Sequence, residues 1–136
     1  MKELKLEHLA PYLPYGLKVQ YNNGDDLNIV DEMIGIEDKS CILTSKHLVS
    51  LIAFKPILRH LSDLTKDIEH NGERFDPIQK CNDLLGINIM WSGWGDAING
   101  DLSDISYSHM VKLIEWHFDV FGLIDADLAI DINTIK

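Results

Sequence analysis

The sequence predicts an α+β fold with an antiparallel N-terminal sheet, short helices, and a C-terminal amphipathic helix followed by a strand. Three patterns carry that expectation. Near the C-terminus, Tyr107, Met110, Val111, Ile114, His117, Phe118 and Phe121 recur at offsets of three and four, which lines them along one helix face and leaves Lys112, Glu115 and Asp119 off it. Just beyond, Leu128, Ile130 and Ile132 alternate with Ala129, Asp131 and Asn133, the pattern of a half-buried strand reached through the turn Asp125-Ala126-Asp127. Near the N-terminus, Leu17, Val19 and Tyr21 alternate with Lys18 and Gln20 and lead into Asn23-Gly24, a pair that tolerates the positive φ of a tight hairpin.

Each element follows from local chemistry. Leu6, Leu9 and Leu13 have helical spacing, but Pro11 and Pro14 limit that helix to a turn or two. A second strand is expected through Leu27 to Ile36, and a third over Ser40 to Thr44 after the Glu37-Asp38-Lys39 loop. The apolar run from Ser45 to Ile57 is ambiguous in period and is interrupted by Pro56; it is read as strand. Leu61, Leu64 and Ile68 suggest a short helix capped by Ser62 or Asp63 and closed by Asn71-Gly72. Asp76-Pro77-Ile78-Gln79 opens another, carrying Ile78, Cys81, Leu84 and Leu85 inward and ending at Gly86. The last helix is expected from Ser106 to Phe121, capped by Ser106 or Asp104, ended by Gly122 and packed across the sheet.

With 136 residues, 46% of them hydrophobic, the chain is read as a single domain over 1–136. No apolar run reaches the roughly 18 residues of a membrane helix, and MKELKLEHL lacks the apolar centre of a signal peptide, so a cytoplasmic location is expected. Cys41 and Cys81 have no CxxC or His spacing and read as buried free thiols. The net charge of −10, with 12 basic residues scattered singly, disfavours nucleic-acid binding and suits a basic protein partner or plain solubility.

Candidate chemistry is sparse. There is no Walker loop, GxSxG elbow, HExxH or Rossmann fingerprint, and neither a cofactor nor a metal site is expected. His109 and His117 stand eight residues apart, too far along one helix to share an ion. Asp125, Asp127, Asp131 and Asn133 lack the glycine and closing glutamate of a calcium loop. His117 would serve as a general base if a carboxylate such as Asp131 held its second nitrogen, against the commoner reading of a satisfied core histidine. Residues 87–104 are rich in glycine and tryptophan and read as a surface excursion between helices. There Trp91, Trp94 and Asp96 are the candidate binding residues, with Trp94 expected exposed between Gly93 and Gly95.

The motifs HLAPYLPYGLK (His8 to Lys18), LRHLSDLTKDIEHNGERFDPI (Leu58 to Ile78) and EWHFDVFGLIDADLAIDIN (Glu115 to Asn133) resemble an uncharacterised family of small proteins encoded by gut Bacteroidetes, their prophages and phages. The resemblance implies a mobile-element origin and an intracellular setting, with no catalytic residue to carry over. It leads to the expectation of a non-enzymatic interaction protein, an inhibitor or anti-defence factor being one form; the alternative is a small hydrolase or transferase using His117. Two positions depart from the family pattern: His60, where the family has proline, and Asp127, where it has glycine. Positive φ is expected at the second, and Asp tolerates it better than most residues.

Overall fold

The computed structural model describes residues 3–38, 41–85, 91–103 and 105–135, with the backbone alone at 38, 85 and 91–93. The chain forms two compact units, one made of residues 1–58 and 121–136, the other of Arg59–Val120.

The first unit is built on a sheet. A short helix α1 (Leu6–Leu9) runs into a 3-10 helix over Ala10–Tyr15, the prolines having limited the α-helix as expected, and Gly16 ends it at φ 67°. Then come β1 (Lys18–Asn23), β2 (Asp26–Asp38), β3 (Cys41–Thr44), β4 (Leu48–Ser50) and β5 (Phe54–Leu58). With β8 (Ile130–Asp131) they form one six-stranded sheet in the order β4-β3-β2-β1-β5-β8. The hairpin at Asn23-Gly24 is present, with Gly24 at φ 60°. Alternation decides the faces: Val19, Tyr21, Asp31, Met33, Ile42, Thr44 and Val49 are buried, while Lys18, Glu32, Leu43 and Leu48 are exposed.

The ambiguous Ser45 to Ile57 run resolves into two strands, and Pro56 is tolerated in β5 because β8 pairs only with Ile57 and Leu58. The C-terminal strand exists but is two residues long and parallel to β5. Asp131 accepts the Asn133 amide at 2.9 Å and starts a 3-10 turn over Ile132–Thr134 there. Asp127 stands at φ 61°, the positive φ expected at that position.

The second unit has its own core of Leu61, Leu64, Ile68, Cys81, Trp94, Ala97, Leu113, Trp116 and Phe118. The segment expected as a helix is a 3-10 turn, Leu61–Thr65, capped by the His60 ring, whose Nδ1 accepts the Ser62 amide at 3.1 Å, rather than by Ser62 or Asp63. Asn71-Gly72 does not close a helix. It turns a hairpin between β6 (Ile68–His70) and β7 (Glu73–Phe75), with Asn71 at φ 52° and Gly72 at φ 82°. The helix α2 (Pro77–Leu85) starts as expected, Asp76 Oδ1 accepting the amides of Ile78 and Gln79. Cys81 is fully buried on it, whereas Leu84 is 55% exposed, not inward; Leu85's side chain and Gly86 lie outside the described residues.

The surface excursion is in part a helix, α3 (Trp91–Ile98). Residues 86–90, and Asp104 as the alternative cap of the last helix, lie outside the described residues. The last helix, α4 (Tyr107–Glu115), is capped by Ser106 and stops well before Gly122. Its buried residues are His109 and Leu113, followed by Trp116, while Tyr107 is exposed. The expected face was therefore rotated, because apolar residues occur nearly all round this segment and two stripes at helical spacing compete. Within its own unit α4 packs against α2.

The stop is made at His117. The His117 amide bonds the Ile114 carbonyl at 3.0 Å and the Phe118 amide bonds the Leu113 carbonyl at 2.9 Å, with His117 at φ 64°. This is the paired bonding of a left-handed C-terminal cap, with histidine where glycine is usual and Phe118 and Leu113 as its apolar contact. Two stability outcomes follow. Phe118→Ala should cost about 3 to 5 kcal/mol through the cavity it leaves, read as a lowered denaturation midpoint; a melting shift under about 2 °C would rule out the core position. His117→Gly should be more stable than His117→Ala by about 1 kcal/mol, since only the glycine escapes the left-handed penalty; equal midpoints in urea would remove the cap strain from the account.

Candidate functional sites

Trp94 is 1% exposed, which corrects the expectation of an exposed anchor. The reason is helical spacing: on α3, Trp94 shares its inward side with Ala97, both in the core of the second unit, and with Ile98, which packs against that core. Its ring also meets His109 edge-on, with centroids 5.9 Å apart. Of the other two candidate binding residues, Asp96 is exposed and the side chain of Trp91 lies outside the described residues. A count of apolar residues at helical offsets through Trp91, Trp94, Ala97 and Ile98 carries this signal; the glycines obscured it.

His117 is buried beside a second imidazole. The rings of His70 and His117 meet edge-on at 4.8 Å. Arg59 adjoins this pair, its Nη2 3.5 Å from His70 Nδ1; its Nε donates to the Trp116 carbonyl at 3.0 Å and its Nη2 to the Glu69 carbonyl at 2.6 Å. Burial, then the nearby His117, Arg59 and Lys80, push the His70 imidazole down to about 4, so it is neutral at pH 7. A cavity of about 290 Å³ adjoins, lined by His70, Glu73, Phe75, Lys80, Glu115 and Trp116. Asp131, the carboxylate expected to hold His117, caps the terminal turn of the other unit. Among the described residues no cluster of three or more His, Cys, Asp or Glu is arranged for a metal.

A polar network missed from sequence occupies the buried side of the sheet. The Tyr21 hydroxyl lies 2.7 Å from His47 Nδ1 and 3.4 Å from both Asp31 Oδ2 and Thr44 Oγ1, and Asn23 Nδ2 lies 3.0 Å from His47 Nε2. The Ser45 hydroxyl donates to Asp31, which also accepts the Glu32 amide at 2.8 Å. Burial works to raise the Asp31 carboxyl, yet the bonds from Ser45, the Glu32 amide and Thr44, with the charge of Lys46, hold it below its ordinary value. A carboxylate so stabilised is a poor base, so this Ser-Asp pair does not activate the hydroxyl. The network holds strands together.

Part of the exposed apolar surface of this unit lies at β4 and its neighbour, and part, Leu27, Val30 and Ile34, on β2. In the order of strands β4 is terminal, and its Leu48, 58% exposed, stands opposite Leu43 of β3, which in turn faces Gly35 of β2. The chain leaves β4 directly into Leu51 and Ile52, and Ile52 is 96% exposed. These two line an open groove of about 690 Å³ together with Leu4, Leu6, Phe54 and Leu128, with Lys5 and Lys55 also on its walls. Leu43 and Leu48 were read in sequence as ordinary strand residues; nothing in a single strand's pattern reveals that it ends a sheet.

No family model matches the chain, and no solved structure matches it. Among curated proteins it is similar to the ferredoxin–NADP reductase of Neorickettsia sennetsu, with 30% identity over 83 residues, 61% of this chain and 24% of that protein. The matched stretch is thus less than a quarter of the reductase's length. No helix among the described residues is long and apolar enough to cross a membrane.

The low value at His70 gives a pH dependence with a definite sign. Between pH 6.5, where a free imidazole titrates, and about 4, the unfolded chain takes a proton at this position that the folded chain refuses. His70 should therefore make stability fall as pH drops through that window and contribute no slope above it. His70→Gln should flatten the urea midpoint between pH 6.5 and 4; an unchanged slope would show that the imidazole protonates freely in the folded chain.

Proposed function

We propose that this is a non-enzymatic interaction protein that takes up an extended segment of a partner protein along β4, with an apolar side chain of that segment seated in the adjoining groove. The single observation that carries the reading is the continuity of a terminal strand bearing exposed Leu48 with an open groove bearing exposed Ile52. Strand addition supplies main-chain hydrogen bonds and pockets supply side-chain selection. With three residues in β4, few such bonds are on offer, so the groove must supply the remainder.

The charge chooses among occupants. A second copy would bring together two chains of net charge −10, whereas a basic segment is drawn in by the overall charge, with Glu3 beside Lys5 on the groove wall and Lys55 already paired with Asp127. The surface relocates from the residue 87–104 region to the first unit. The phage or prophage setting, and with it an inhibitor or anti-defence role, rests on the resemblance of the three motifs alone.

The enzyme alternative through His117 has less support, since the positive φ there is accounted for by the helix cap and its ring packs on a neutral imidazole. The likeness to a ferredoxin–NADP reductase would bring NADP or ferredoxin as partners. Against a phosphate-bearing ligand, α2 opens on the carboxylate of Asp76, which already occupies the amides that would hold an anion.

The test is fluorescence anisotropy with a labelled peptide of about ten residues alternating valine and lysine around a central phenylalanine. Saturable binding that weakens with salt is expected, with no binding of the valine–glutamate counterpart. Ile52→Asp should leave the melting temperature nearly unchanged and weaken binding about tenfold or more, the weight of a buried anchor. Absence of binding, or equal binding by Ile52→Asp, would sink the reading. A concentration-dependent dimer abolished by Leu48→Lys would replace the basic partner with a second copy.

A further inference from the structure

We infer that the partner segment runs antiparallel to β4, with its apolar anchor placed N-terminal to the residues that pair with the strand. This rests on the peptide-binding reading above and adds the order of residues that such a partner must present. The edge of β4 can be resolved group by group. The Thr44 amide bonds the His47 carbonyl at 2.8 Å, so these two form a hydrogen-bonded pair where β3 turns into β4. The same register continues with Leu43 opposite Leu48, Ile42 opposite Val49 and Cys41 opposite Ser50. Hydrogen-bonded and non-hydrogen-bonded pairs alternate along an antiparallel ladder, so Val49 turns its backbone groups to β3, whereas Leu48 and Ser50 turn theirs outward. Among the described residues no further strand meets them there, because β4 ends the sheet. The Ser50 carbonyl is already engaged, accepting the Ala53 amide at 2.9 Å. The open set is therefore the Leu48 N–H, the Leu48 carbonyl and the Ser50 N–H.

An antiparallel segment matches this set. Its residue opposite Leu48 gives its own N–H to the Leu48 carbonyl and takes the Leu48 N–H on its carbonyl, and the residue two before it takes the Ser50 N–H. The ladder stops there, since beyond Ser50 the chain turns through Leu51 and Ile52, which line the groove. The residues that reach the groove are thus the ones preceding the paired stretch. A parallel segment would use slanted bonds, less stable per residue, and would bring its following residues to the groove instead. Antiparallel is also the sense of every pairing from β4 across to β1. The side chain opposite Leu48 lies beside it on the exposed face, so an apolar residue at that position covers a leucine that is otherwise 58% exposed. The net charge of −10 makes basic residues the favoured remainder.

The experiment is an anisotropy series on the full, unaltered chain, using the labelled valine–lysine peptide with its central phenylalanine and methylating each backbone nitrogen of the peptide in turn. One methylated position should weaken binding about tenfold, the share of the hydrogen bond to the Leu48 carbonyl, and it should lie C-terminal to the phenylalanine. The nitrogens on either side of it point away from β4 and should accept the methyl group within about twofold. A sensitive position N-terminal to the phenylalanine would overturn the inference in favour of a parallel segment. A series with no sensitive position, while Ile52→Asp still weakens binding, would overturn it by confining recognition to the groove. A chain dimer in sedimentation that the peptide disperses would overturn it by giving the edge to a second copy. Failure of the unmethylated peptide to bind is a separate outcome, which removes the peptide-binding reading itself and the inference with it.

Discussion

The buried guanidinium of Arg59 is the contact on which the second unit depends. Its side chain gives hydrogen bonds to the carbonyls of Trp116 and Glu69, and its backbone amide and carbonyl bond the His117 carbonyl at 2.7 Å and the Asp119 amide at 2.8 Å. One residue thus joins the end of α4 to the β6–β7 hairpin. Burial lowers the guanidinium from its usual value while Asp63 opposes that, and an arginine remains charged at any physiological pH. A charge held this way must be fully hydrogen-bonded, because each buried polar group left open costs about 1 to 3 kcal/mol. The carbonyls of Trp116 and His117 are placed for it only if α4 stops where it does. Helix termination and arginine burial are therefore one constraint.

That coupling explains which parts of the fold could be read from the sequence. Strands β1 to β3, the Asn23-Gly24 turn, the Asp76 cap and the Ser106 cap all rest on neighbours within a few residues, and each is present. The end of α4 rests instead on Arg59, far away in sequence, and a histidine takes up the left-handed conformation that local rules reserve for Gly122. Asn71-Gly72 shows a different limit. The same dipeptide closes a helix or turns a hairpin, and only the pairing of Ile68 with Phe75 decides between them.

The candidate sites were harder to read for a related reason. Trp94 sits between glycines, and composition pointed to a loop; helical offsets through Ala97 and Ile98 pointed inward, and the core took the indole. Leu48 and Ile52 look in sequence like part of a buried run, SLIAF included, and their exposure arises because β4 is the last strand of its sheet. Burial of a strand is a property of its neighbours, which periodicity within the strand does not contain.

Apolar and polar residues usually sort so that the first are covered and the second are paired, and most of this chain obeys. Asp31 carries several bonds, Tyr21 reaches three partners, and the Arg59 guanidinium is met by carbonyls. Against that background the exceptions stand out by kind and by place. In the first unit they are apolar and uncovered, Leu48 and Ile52 along a terminal strand and a groove. In the second they are polar and unpaired, Trp94 Nε1 and Asn82 Oδ1 among the described residues. Each exception costs stability in the free chain, and each would be relieved by a different chemistry, apolar cover for the first and a hydrogen-bond partner for the second. Local inconsistencies that survive in a folded chain concentrate at functional or strained sites, so the kind of exception in each unit, apolar in one and polar in the other, is a guide to what would relieve it.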